Sequence, residues 1–156
     1  MDVLVWDPTL GEDEVIEGAR RVELDELLST SDVVSVHAPA IPETDGLIGR
    51  SELALLPSGA TIINTARGSV IDQQALLDEL YARRIHAVID VTDPDVLPPG
   101  HPLFAAPNLV LTPHIAGSQG VELYRLGDAA IIETERFARG EPFLHDVAQP
   151  AFARLA

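Results

Sequence analysis

Two side chains of this 156-residue sequence could together hold and reshape a small organic acid. Arg67 sits in NTARGSV (64–70), straight after the apolar run Ala60–Ile63, and His114 sits in TPHIAG (112–117). A guanidinium is a rigid fork, charged at any working pH, whose geometry matches a carboxylate. An imidazole titrates nearest neutrality and can give or take a proton as general acid or base. A carboxylate beside His114 would raise its pKa and fix its tautomer; Asp93 and Asp95, in the loop that precedes TPHIAG, are the candidates. Gly68 lets the backbone turn tightly, so that Arg67 can point back over a crevice. The plainer alternative for Arg67 is a structural ion pair with one of the many acids.

These residues need a frame, and the periodicity supplies one. Asp2–Trp6, Asp32–Val36, Thr61–Asn64, Ala87–Ile89 and Leu109–Thr112 are short runs rich in valine and isoleucine, as suits strands covered on both faces. Helical spacing separates them. Leu24, Leu27 and Leu28 share one face, RSELALLPSG reads as a short helix capped by Ser51, and DQQALLDELYARR opens on Asp72 as N-cap. The alternation implies an α/β fold with a doubly wound parallel sheet. One long helix fits between Gly117 and Gly140, with Val121, Leu126, Ile132 and Phe137 as packing residues, and a proline-containing tail follows it. The segment from Thr92 to Asn108, which carries five of the twelve prolines, reads as one long irregular loop of functional character.

Ligands of open parallel sheets bind beyond the carboxyl ends of the strands. There the sequence places Asp7, His37, the run Asn64-Thr65-Ala66-Arg67, Asp90 and, one proline further on, His114. Each has a bland reading: a turn former before Pro8 for Asp7, a half-buried ring for His37, a cap for Asp90. Five at one edge point to a shared binding edge. An acid at Asp7 can accept hydrogen bonds from both ribose hydroxyls of an adenine dinucleotide and would repel a 2′-phosphate, which favours NAD over NADP. None of the eleven glycines forms a G-x-G, so the sequence holds no loop of the kind that cradles a pyrophosphate.

Composition narrows the field. Twenty-five acids against ten bases give a formal charge of −15, which disfavours nucleic acid as a partner. Every base is arginine, so Schiff-base chemistry and a P-loop lysine are excluded; with no cysteine, so are thiol nucleophiles and thiolate metal sites. No run approaches the roughly 20 apolar residues of a membrane span, and the start has no basic, apolar leader. The expectation is a cytoplasmic protein with no membrane partner. A divalent cation held by Asp90, Asp93 and Asp95 in DVTDPD is a competing reading, but three acids supply too few oxygens for a hard cation.

NTARGSVID, the loop VIDVTDPDVLPPGHPL, NLVLTPHIAGS and SDVVSVHAPAIPET occur in order with fitting separations. Together they resemble the D-isomer-specific 2-hydroxyacid dehydrogenases from about Asp2 to the end of the chain. The resemblance implies a Rossmann-like fold and reversible hydride transfer between NAD and C2 of a 2-hydroxy or 2-keto acid. It implies that Arg67 holds the substrate carboxylate and carbonyl and that His114 is the acid/base. The carboxylate assisting the histidine falls on Asp95, an aspartate where the family has glutamate, with roughly 1.5 Å less reach. The resemblance also implies that Asp7 binds the adenosine ribose, that Pro39 and Thr44 line the adenine side, that Thr65, Ala66 and Asp90 contact the nicotinamide half, and that Gly117 lies close to that ring. His86, His101 and His145 have no such match and read as surface residues.

Relatives of this kind begin with half of a substrate domain and a glycine-rich first strand, which this sequence lacks. Residues 1–116 read as a partial NAD-binding domain, and 117–156 as a helix and tail that would return to a substrate domain. Uncovered apolar surface is therefore expected, and with it a homodimer or association with a missing amino-terminal half. The alternative function is a non-catalytic nucleotide-binding or association module.

Overall fold

A computed structural model describes residues 1–11 and 17–146. Four strands form one parallel sheet in sequential order: β3 (Val33–Val36), β4 (Thr61–Asn64), β5 (His86–Ile89) and β6 (Leu109–Leu111). Its register aligns Val34, Ile62, Ala87 and Leu109 in one row, and Val36, Asn64, Ile89 and Leu111 in the row that ends the sheet. Because all four run the same way, the loops after them emerge at one edge.

The helices α1 (Leu24–Thr30), α2 (Arg50–Leu55) and α3 (Gln73–Tyr81) supply Leu28, Leu53, Leu76, Leu77 and Leu80 to the core, where they meet Val34, Ile62, Ile85 and Ala87. Each such leucine contributes about 1.5–3 kcal/mol relative to an exposed one. Asp72 caps α3 as its sequence predicts, its carboxylate accepting from the Ala75 N–H at 2.9 Å. Gly59, at φ 88°, makes the turn that returns the chain to β4.

Several expectations are corrected. Only Leu4–Val5 of the first apolar run is a strand (β1), and it pairs in parallel with Arg20–Arg21 (β2) as a separate two-stranded sheet. No apolar pattern announces β2, because its arginines turn outward: Arg20 pairs with Glu26, and Arg21 donates to the Gly11 carbonyl at 2.7 Å. Ser51 does not cap α2. Gly49 is the N-cap, and Glu52 reaches back to accept from its N–H at 3.0 Å, leaving Ser51 exposed as the second helical residue. The Thr92–Asn108 stretch is less irregular than its prolines suggest: a 3₁₀ turn over Pro102–Ala105 plants Leu103 in the core.

The long helix α4 (Val121–Ala138) forms where expected, and Gly140 follows it at φ 67°. None of its residues is buried, and Val121, Leu126, Ile132 and Phe137 are exposed at 73, 56, 46 and 72%. The reading of these four as packing residues therefore fails within the described residues, while the expected uncovered apolar surface is present. The proposed tail runs partly beyond them, since 147–156 lie outside the described residues.

Arg84 ties the end of α2 to α3. It forms an ion pair with Glu79 and donates to the carbonyls of Leu53 and Leu56 at the end of α2. All three partners lie in partly buried surroundings, where charge-assisted bonds are strongest. Arg84→Ala is expected to cost about 2 kcal/mol, read as a lower urea midpoint with an unchanged slope.

Candidate functional site at the carboxyl edge of the sheet

The turn after β4 is built around Asn64, which is 1% exposed. Its Oδ1 accepts from the Ala66 N–H at 3.0 Å, its Nδ2 donates to the Arg67 carbonyl at 2.9 Å, and Arg67 Nη1 donates to the Ala66 carbonyl at 2.7 Å. Arg67 has extended backbone (φ −147°, ψ 145°) and an exposed side chain.

Gly68 is needed for a reason the sequence did not disclose. It does not take up positive φ; a Cβ there would lie 2.2 Å from the carbonyl carbon and oxygen of Thr92 and 2.7 Å from the Asp93 nitrogen. The Arg67 turn and the loop after β5 are thus in direct backbone contact. Gln73, at the start of α3, fastens the second side. Its Nε2 donates to the Asp93 carbonyl at 2.9 Å and its Oε1 accepts from the Asp93 N–H at 3.1 Å. The Thr92 hydroxyl closes the loop by donating to the Pro94 carbonyl at 2.9 Å, with the Asp95 carbonyl at 3.2 Å. The Asp95 side chain is exposed, and no hydrogen bond or ion pair joins it to His114.

Asp90, 3% exposed, organises the third loop. Its Oδ1 accepts from the Thr112 hydroxyl and from the Ile115 N–H at 2.9 Å, its Oδ2 from the Ala116 N–H at 2.8 Å, and its backbone carbonyl from the His114 N–H at 2.9 Å. Three consecutive amides, 114 to 116, therefore converge on one residue and hold His114 at φ 55°. Burial pushes the Asp90 pKa up, but Thr112, the two amides and the nearby His114 outweigh it, and the net displacement is below the ordinary 3.8.

The other predicted positions are more scattered. Asp7 follows β1 in the two-stranded sheet, and its Oδ1 accepts from the Thr9 N–H and hydroxyl, both at 2.7 Å. Pro39 and Thr44 are joined to each other: the Thr44 hydroxyl donates to the Pro39 carbonyl and accepts from the Ile41 N–H at 3.1 Å. Thr65 is exposed beside Ala66. Gly117 is exposed, and a Cβ there would meet nothing within 4 Å, so no contact within the described residues demands a glycine. His37 is exposed and shares a hydrogen bond with Ser35 at 2.9 Å. Of the remaining histidines, His86 and His145 are exposed as expected, but His101 is half-buried and its Nδ1 accepts from the Leu103 N–H at 3.2 Å.

Both carboxylate oxygens of Asp90 are engaged by the His114 loop, and no group of three or more His, Asp or Glu that could hold a metal occurs among the described residues. An open groove of about 490 Å³ lies between Asp45, Ser69, Asp72, Gln73, Asp93 and His101; neither Arg67 nor His114 lines it. Sequence reasoning placed Asn64 at the binding edge without giving it a role, and missed Gln73 as a site builder. The available signal for Asn64 was an amide ending a buried strand; nothing marked Gln73.

Residues 1–116 match the model of the D-isomer specific 2-hydroxyacid dehydrogenase NAD binding domain. The chain belongs to this family. It is 37% identical over 143 residues to a hydroxypyruvate reductase of Blautia hydrogenotrophica, covering 91% of this chain and 44% of that one. A D-3-phosphoglycerate dehydrogenase of Archaeoglobus fulgidus is 33% identical over 153 residues, which is 97% of this chain and 29% of the relative. The chain thus spans less than half the length of these dehydrogenases. The Rossmann-like fold is shared with a D-isomer specific 2-hydroxyacid dehydrogenase from Xanthobacter autotrophicus in complex with NADPH and MES (TM-score 0.81, 35% identity, 97% of this chain and 62% of that one). It is shared also with a D-lactate dehydrogenase from Lactobacillus jensenii with NAD+ (TM-score 0.84, 27% identity, 95% and 48%). As a member of the 2-hydroxyacid dehydrogenases the chain carries their NAD-binding domain, and no helix among its described residues is long and apolar enough to cross a membrane.

Proposed function

We propose that this chain supplies the nucleotide-binding and catalytic edge of an NAD-dependent dehydrogenase of 2-hydroxy (or 2-keto) acids. The reading rests on one observation above the rest: Arg67 and His114 are carried on loops anchored by buried polar residues, Asn64 and Asp90, that end adjacent parallel strands. Arg67 holds the substrate carboxylate and carbonyl through its fork. His114 takes the hydroxyl proton during oxidation and returns it during reduction. When bound, the nicotinamide accepts or supplies the hydride. Asp95 is the carboxylate assigned to support the imidazolium.

Asp7 receives the adenosine ribose hydroxyls, with Pro39 and Thr44 beside the adenine; Thr65, Ala66 and Asp90 face the nicotinamide half, and Gly117 leaves room for its ring. The residues suit this ligand at both ends: a half-buried carboxylate follows β1, and Thr65 and Gly117 are each exposed. No G-x-G stands between them for the pyrophosphate. In this reading residues 117–156 leave the nucleotide-binding unit, and the bare apolar surface of α4 is covered by association, either with a second copy or with the part of the relatives that this chain does not span. The unpaired Asp95 and His114 favour a second reading, a nucleotide-binding module without turnover.

Calorimetric titration with NADH separates these readings. Saturable binding that Asp7→Ala weakens at least tenfold, followed by NADH oxidation with 2-keto acids, supports the dehydrogenase. Binding without turnover supports the module. A folded chain that takes up no NADH sinks both for the isolated chain.

A further inference from the structure

The hydrogen bonds after β4 form a closed ring: Ala66 N–H to Asn64 Oδ1, Arg67 Nη1 to the Ala66 carbonyl, and Asn64 Nδ2 to the Arg67 carbonyl, at 3.0, 2.7 and 2.9 Å. Only one member of the ring is buried, and it is the asparagine, at the carboxyl end of β4 between Val36 and Ile89. Its own carbonyl accepts from the Asp90 N–H at 2.9 Å, so it also shares a backbone bond with the residue that clamps the His114 loop.

From this ring we infer that Asn64 is a positioning residue that aims the Arg67 guanidinium at the substrate carboxylate. The inference rests on the reading of Arg67 given above. The physical argument is one of preorganisation. An exposed arginine has many rotamers, and fixing them on binding costs free energy that the ligand contact must offset. Here the backbone is fixed in advance from both sides. Asn64 holds the Ala66 N–H and the Arg67 carbonyl, and Gly68 rests against Thr92. The guanidinium is exposed, and its Nη1 is bonded to the carbonyl of the neighbouring Ala66, within the same turn.

A carboxamide is the side chain this ring requires, since it must offer an acceptor and a donor on one planar group. Asn64→Asp keeps the acceptor for Ala66 N–H and sets a repelling oxygen against the Arg67 carbonyl. Asn64→Ser, smaller and neutral, replaces the two-ended carboxamide with a single short hydroxyl that cannot hold both partners at once, with less risk to folding.

The test uses the full chain with NADH present and oxamate, a 2-keto-acid mimic, as probe. Oxamate binding is read from the nitrogen-15 resonance of Arg67 Nε, alongside the NADH affinity and the melting temperature. The expected result is at least tenfold weaker oxamate binding in Asn64→Asp or Asn64→Ser, with NADH affinity within twofold of the parent chain and a more mobile Arg67 backbone amide. A variant that melts cooperatively and binds oxamate as the parent does, with an equally ordered Arg67 amide, overturns the inference. Arg67→Ala isolates the underlying reading: if it binds oxamate like the parent, or if the parent binds none, Arg67 is not the carboxylate anchor and the role given to Asn64 falls with it.

Discussion

Gly68→Ala is expected to cost about 3 kcal/mol of stability, which for a chain of this size lowers the melting temperature by about 10 °C. The added methyl carbon would stand 2.2 Å from the Thr92 carbonyl and 2.7 Å from the Asp93 nitrogen. Carbon pairs settle near about 3.5–4.0 Å, so the two backbones must part by more than about 1 Å. Neither side can yield cheaply. Thr92 is buried directly after β5, and Asp93 is held at both backbone groups by Gln73. Behind Gly68 stands Val70, fully buried in the core. The displacement also separates the Arg67 turn from the loop carrying Asp95, so any substrate-dependent turnover should fall more than NADH binding does. Gly117→Ala is the steric control: nothing lies within 4 Å of its Cβ, and its melting temperature should match the parent's. Equal urea midpoints for Gly68→Ala and the parent chain would show that the two loops do not touch.

Asp90→Asn should have a comparable effect by a different route. The buried carboxylate accepts from one hydroxyl and two amides. An amide in its place has only one acceptor oxygen, so the N–H of Ile115 or Ala116 faces an NH2 group. Leaving one buried donor unpaired costs about 1–3 kcal/mol, and the lost charge weakens the bonds that remain. His114 is then released from the left-handed conformation that its neighbours impose. The pH dependence fixes the sign. The folded-state pKa of Asp90 lies below the ordinary 3.8, so its contribution is complete above that value. It is lost as pH falls through the lower, folded-state value. Parent and Asp90→Asn chains should therefore differ most at neutral pH and converge in acid. Melting curves recorded from pH 7 downward check this, and a gap that stays constant into strong acid would remove Asp90 from the account.

What could be read from the residues was whatever local pattern specifies. The runs Thr61–Asn64 and Leu109–Thr112 read as strands because short apolar, valine- and isoleucine-rich runs suit a sheet, although the expected cover on both faces is missing at Val33 and Val110, which are exposed. The cap at Asp72 was legible because a carboxylate before a leucine-patterned helix has one available donor set. Arg67 and His114 stood out because few side chains can grip a carboxylate or move a proton near neutrality. Arg20–Arg21 could not be read as a strand, since its pairing comes from backbone beside Leu4–Val5 and not from its own side chains. Ser51 misled because Glu52 competes for the same helix end, and only the folded geometry shows which wins.

By itself, then, the sequence determined the parallel α/β frame, the family and the two residues at the centre of the proposed chemistry, all of which follow from periodicity and side-chain type. Only the tertiary structure decided what holds them. Asn64 beneath Arg67, Gly68 against Thr92, Gln73 on Asp93 and Asp90 under residues 114–116 are contacts between segments lying up to 26 residues apart. Their partners are backbone groups, which every residue type carries alike, so no pattern of side chains along the chain could reveal them.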